Sequence, residues 1–209
     1  LLMAAKDIDA DFISVAYNPG KSVRINSIFV AHWIKEHTDK DVVFTLATRD
    51  MNKLAAQSLL LGGSLLGLEN LVVLKGDEFS DKELDIVNAV DDFTPTALLR
   101  AVNEMNKGID YKGGKLATPT TYCLGASIDI GHEIEGEIRL VHRKIEAGAQ
   151  YFLLQGIFDP QPLKTLYDRY ASLFKKELRV PVFCGVQVMA PDSMAFGKVP
   201  RWVNRDLEK

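Results

Sequence analysis

Short runs of β-branched and aromatic residues alternate along this chain with longer stretches whose apolar residues recur every three or four positions. The first pattern reads as strand and the second as amphipathic helix, so their alternation predicts repeated βα units and a parallel sheet wrapped by helices. Strands are predicted over residues 12–16, 42–46, 71–74, 122–126, 151–154 and 182–185. Nearly all are continuous in hydrophobicity, the pattern of strands covered on both faces. A helix over 23–36 would bury Ile25, Ile28, Phe29 and Trp33, and one over 132–147 would bury Ile134, Ile138, Val141 and Ile145. Thr94-Pro95-Thr96 predicts an N-cap with proline at the first helical position, opening a helix through Leu98, Leu99, Val102 and Met105. Residues 162–178 form another helical stretch, either solvated or interfacial. Leu1-Leu2-Met3-Ala4 resembles the tail of a helix, with residues expected upstream. The segment 107–119 reads as an exposed loop, and 76–92 as an acidic loop with little apolar periodicity.

Two architectures fit this rhythm. An open doubly wound sheet with a dinucleotide site would carry a glycine-rich turn after its first strand, and Asn18-Pro19-Gly20 does not meet the GxGxxG pattern. A (β/α)8 TIM barrel needs eight strands and about 250 residues, against about six strand candidates here. A barrel lacking its first and last βα units accounts for both shortfalls. The expectation is therefore one barrel domain over residues 1–209, incomplete at both ends.

Composition narrows the partners. Of 209 residues, 47% are hydrophobic and 25% charged, which excludes disorder and disulfide-stapled miniature folds. Lys and Arg number 25 against 28 Asp and Glu, a net charge of −3 without blocks, so no nucleic-acid grip is expected. No apolar stretch approaches the roughly 20 residues of a membrane span. Cys123 and Cys184 sit in apolar runs without ligand spacing and read as small buried hydrophobes of a reducing compartment, with no metal site. These features read as cytoplasmic.

In barrels the chemistry lies at the C-terminal ends of the strands. Those positions hold Tyr17, Asn18, Thr45, Thr48-Arg49-Asp50, Lys75-Gly76-Asp77, Ser127, Asp129, Gln155 and Gln187. Asp77, after an apolar strand and a glycine, would project over the barrel mouth, where partial burial would raise its pKa; the plainer alternative is a turn cap. Lys144 sits on the inward stripe of its helix near the C-terminus, either functional or a snorkelling cation set against the helix dipole. Gln155, closing an apolar run, would be buried unless bonded, and a ligand is one way to satisfy its amide. Arg49 either meets a phosphate bidentately or pairs with Asp50. His32, His37 and His142 fall within helical patterns, and His132 reads as a helix-opening residue.

Lys75-Gly76-Asp77 after Asn70–Leu74, the block Arg143-Lys144-Ile145-Glu146-Ala147-Gly148-Ala149 followed by Leu153-Leu154-Gln155-Gly156-Ile157-Phe158-Asp159, and Val180–Val186 together resemble the methylenetetrahydrofolate reductase family over essentially the whole chain. Tyr17–Arg24 resembles the family's glycine-rich turn more loosely. The resemblance implies a barrel that passes a hydride from NAD(P)H to FAD and then to methylenetetrahydrofolate, giving methyltetrahydrofolate. It implies Asp77 as the partner of the cationic iminium substrate, Gln155 as the amide orienting the pterin, and Lys144 beside the flavin, where positive charge favours the anionic reduced form. Lys75, Gly76, Thr45, Ala126 and Ser127 would complete the cofactor contacts. Several positions depart from the family pattern: Ala16 replaces Thr, Thr45 replaces His, Lys75 replaces Arg, and Ser127-Ile128-Asp129 replaces the Tyr-Pro-Glu signature. The family's general-acid glutamate belongs to a first strand not found here. FAD binding weaker than usual for the family is therefore expected, with a folate-binding barrel without flavin chemistry, a methyl-transfer partner or subunit of a larger complex, as the alternative. Whether the chain forms a homo-oligomer or joins a companion subunit stays open.

Overall fold

Asn26, Asn52 and Thr94 each stand one residue before a helix, and each turns its side-chain oxygen onto a backbone N–H of the first turn, at 3.1, 2.8 and 3.2 Å. These caps satisfy donors that a helix leaves unpaired at its start, which is why the helices begin there. The computed structural model describes residues 2–131, 133–157 and 159–186, so the predictions on His132, Phe158 and Gln187 lie outside it. In chain order the elements are α1 (Leu2–Asp7), β1 (Phe12–Val15), α2 (Ser27–His37), β2 (Asp41–Ala47), α3 (Lys53–Leu65), β3 (Asn70–Leu74), α4 (Asp81–Leu84), α5 (Pro95–Met105), β4 (Cys123–Ile128), α6 (Ile134–Glu146), β5 (Tyr151–Leu154), α7 (Gln161–Phe174) and β6 (Val182–Cys184). The described strands answer the six predicted runs, and the Thr94-Pro95 start falls where the sequence places it. No described helix is long and apolar enough to cross a membrane.

The chain divides into two compact units, one of residues up to Ala126 with Lys144–Gln150, the other of Ser127–Arg143 with residues from Tyr151 onward. In the first, β1, β2, β3 and β4 pair side by side in parallel, with Phe12 opposite Asp41, Val43 opposite Asn70, and Asn70 opposite Cys123. Phe44, Leu46, Leu71, Val73 and Leu124 of the sheet are buried together with Leu60 of α3 and Leu98, Leu99, Val102 and Met105 of α5. Each such side chain contributes about 1.5–3 kcal/mol by leaving water. Tyr122 crosses this core edge-on to Phe44 and donates its hydroxyl to the Leu60 carbonyl at 2.5 Å, while burial pushes its phenol up. In the second unit β5 and β6 pair in parallel, Phe152 opposite Val182. There His142 stacks on Phe174 with centroids 3.7 Å apart and shares a 3.0 Å hydrogen bond with the Tyr170 hydroxyl.

Several expectations need correction. The inward face of α2 is Ser27, Ile28, Ala31 and Ile34, while Phe29 is 58% exposed, Ile25 lies outside the helix and is also exposed, and Trp33 is only half-buried. Small Ser27 and Ala31 let the helix approach the sheet closely, and Ser27 donates to the Thr45 carbonyl at 2.8 Å. β2 is buried from Val42 to Ala47, as a doubly covered strand should be, but Phe183 and Cys184 of β6 are exposed and no described helix follows that strand. Cys123 is half-buried, so neither cysteine is the buried hydrophobe expected. The acidic loop also holds a helical turn, α4, opened by a Ser80/Glu83 capping box, a Ser-x-x-Glu signal visible in the sequence.

Candidate functional site

The end of β2 runs directly into a tight turn, Thr48–Asp50, and the backbone N–H of Arg49 donates to the Lys75 carbonyl at the end of β3 at 3.1 Å. This bond sets the Arg49 side chain against the loop that follows β3. Its Nε and Nη2 donate to the two Asp50 carboxylate oxygens at 2.5 and 2.7 Å, and its Nη1 donates to the Asp77 carbonyl at 2.7 Å. The guanidinium lies over the Phe79 ring, 4.5 Å from its centroid. Arg49 is only 5% exposed, so a counter-charge is required, and the hydrogen-bonded Asp50, aided by Asp77, raises its affinity for its proton. Of the two readings the sequence left open, the pairing with Asp50 is the one observed. Tyr17, at the end of β1, completes the group; burial first, then the Asp50 charge, pushes its phenol up.

Gly76 makes this approach possible. Its φ is +91°, and a Cβ there would meet the Ala47 Cβ at 3.1 Å and the Arg49 Cβ at 3.5 Å, so a side chain would be both strained and crowded. Asp77 follows and is exposed, which corrects the expected partial burial: the carboxylate stands in solvent while its backbone is held from beneath. Lys75 is also exposed and pairs with Glu78 at 2.7 Å, a contact that pushes the lysine up. Thr45 is buried between strands, where its hydroxyl accepts from the Tyr17 N–H at 2.7 Å and donates to the Val15 carbonyl at 3.1 Å. Ala126 is fully buried in β4.

Lys144 is 4% exposed in the last turn of α6, so the inward placement read from the sequence holds. The Ala147-Gly148-Ala149 block that follows has a structural reason. Gly148, at φ +109°, ends the helix as its N–H and that of Ala149 return to the carbonyls of Ile145 and Lys144, both at 3.0 Å. In the second unit Ser127 is half-buried, and Gln155, just past β5, is exposed rather than buried. Its amide therefore faces water and needs no internal partner.

Phe79 beneath Arg49, and the clasp in which Lys21 donates to the Glu78 carbonyl at 3.0 Å and pairs with Glu83 at 2.6 Å, were not foreseen. No local pattern announces contacts between segments about thirty to sixty residues apart. The strand ends of the first unit thus present an open carboxylate on a braced loop, able to stabilise positive charge developing on a ligand. For a phosphate-bearing cofactor the residues fit in part. Arg49 is committed internally, while Lys75 keeps only a solvent-screened partner and can be recruited. The Thr48 hydroxyl is buried without a hydrogen-bond partner, a polar atom that a ligand can satisfy.

No curated protein matches the chain significantly. The model of the family described as methylenetetrahydrofolate reductase matches residues 2–205, and the chain belongs to that family.

Proposed function

We propose that the protein reduces 5,10-methylenetetrahydrofolate to 5-methyltetrahydrofolate in the cytoplasm, with NAD(P)H as donor and FAD as intermediary, and that its six described strands are part of a (β/α)8 barrel. The family match over residues 2–205 carries this reading. FAD, when bound, supplies the two-electron relay between nicotinamide and folate. The chain's own residues bind and orient. The exposed Asp77 carboxylate faces the cationic iminium carbon and stabilises it without a bond being made or broken on the aspartate. The solvent-facing Gln155 amide offers both donor and acceptor to the pterin edge. Lys75 leaves its exposed partner for a phosphate, Lys144 supplies buried positive charge, and the family resemblance assigns Gly76, Thr45, Ala126 and Ser127 to the cofactor side.

An absorbance scan near 450 nm before and after adding FAD, followed by anaerobic oxidation of NAD(P)H with the folate, tests the proposal. The expected result is a flavin band that needs added FAD and fades on gel filtration, with folate-dependent turnover. The engagement of Arg49 by Asp50 favours a second reading, a barrel that binds folate as a partner or subunit without flavin chemistry. Folate binding by calorimetry with no flavin band in excess FAD would select it.

A further inference from the structure

We propose that Arg49 is a positioning residue for Asp77, fastening both ends of the loop after β3 so that the aspartate's carboxylate is presented in one place. This rests on the reading that Asp77 faces the substrate. The loop has little means of holding itself: between residues 77 and 92 nearly every side chain is exposed or half-buried, including Leu84, Ile86, Val87 and Val90. A segment with so little buried apolar surface opens at low cost. Arg49 compensates from beneath. At the start of the loop its N–H donates to the Lys75 carbonyl, its Nη1 donates to the Asp77 backbone carbonyl, and its guanidinium packs on Phe79. At the end of the loop its carbonyl accepts from Val90 at 2.8 Å and Asp91 at 3.4 Å. One buried residue therefore grips the loop at entry and exit, and the carbonyl it fixes at the entry is that of Asp77 itself.

Asp50 has a definite part in this. By occupying the Nε–Nη2 edge of the guanidinium it leaves Nη1 free for the Asp77 carbonyl, and it supplies the charge that lets Arg49 stay buried. Lysine keeps the charge but has a single ammonium in place of the planar fork, so it cannot hold Asp50 bidentately and reach the Asp77 carbonyl in the same way.

The test uses the full chain with FAD added, comparing wild type, Arg49→Lys, Asp77→Asn and the double variant. Steady-state kinetics with methylenetetrahydrofolate should show kcat reduced about tenfold in Arg49→Lys with KM nearly unchanged, because a misplaced group costs rate more than binding. In the Asp77→Asn background the same change should cost almost nothing further. Amide exchange over residues 76–92 should accelerate about tenfold while β2 and β3 keep their protection. Unchanged loop exchange, or losses that multiply independently in the double variant, would overturn the proposal. Wild type without folate turnover would sink the functional reading instead, and the exchange comparison would still decide whether Arg49 fastens the loop. If Arg49→Lys fails to fold, Phe79→Leu, which removes only the ring under the guanidinium, is put to the same comparison with the same expected direction.

Discussion

The end of β2 and the end of β5 answer the same problem in opposite ways. Each follows an apolar run with polar residues. At β2 the chain keeps Thr45, Thr48 and Arg49 inside, and at β5 it places Gln155 in solvent. The difference is partnership. Arg49 brings its own counter-charge in the next residue, Asp50, and Thr45 finds a carbonyl and an N–H on the neighbouring strand. A buried polar group without such partners is costly; the Thr48 hydroxyl, buried with no hydrogen-bond partner, is the exception at β2, while Gln155 stays in solvent. Inward residues at these strand ends build a platform, and outward ones stand open to solvent.

The sharpest way to break this division is at its outward pole. If the protein works as proposed, Asp77→Asn should lower folate turnover on the order of 10²-fold while leaving the thermal midpoint in place, because an exposed carboxylate placed for a transition-state charge contributes little to the fold. A fall in stability that tracks the fall in rate would show Asp77 to be platform. Gly76→Ala should act the other way, costing about 1–3 kcal/mol in denaturant unfolding through its positive φ and the crowding of Ala47. Thr45→Val, nearly isosteric, should cost a similar or slightly smaller 1–2 kcal/mol, since it strands the Tyr17 N–H. A neutral result there would mean that water replaces the hydroxyl. Gln155→Ala should leave stability within about 0.5 kcal/mol and weaken folate binding in calorimetry by roughly tenfold, the loss of a hydrogen bond or two.

The smallest effect tests the outer clasp. Hydrogen bonding from Lys21 holds the Glu83 carboxyl down at about 2 from its ordinary 4.5. A carboxyl depressed in the folded state stabilises fully above its unfolded pKa and loses that contribution as pH falls through the folded value. Exchange in the 76–92 loop, normalised to the unstructured rate, should therefore rise as pH drops from about 4.5 toward 2. Glu83→Gln should flatten that profile and leave the loop modestly looser at neutral pH.

Local pattern determined a good deal of this protein. The βα alternation, the parallel pairing, the Thr94-Pro95 helix start and the inward turn of Lys144 follow from periodicity and capping, which act over a few residues. Family membership was legible in the Lys75–Asp77 and Lys144–Gln155 segments, and the structure adds that part of the second reflects helix-ending geometry at Gly148. The solvent exposure of Asp77 and Gln155 was not legible, nor was the face that α2 buries or the choice of Asp50 as partner for Arg49. Burial depends on which distant segment arrives opposite a side chain. Phe79 arrives beneath Arg49, Glu83 beside Lys21, and the sheet against Ser27 and Ala31 rather than Phe29. Those arrivals are long-range, and only the assembled tertiary structure decides them.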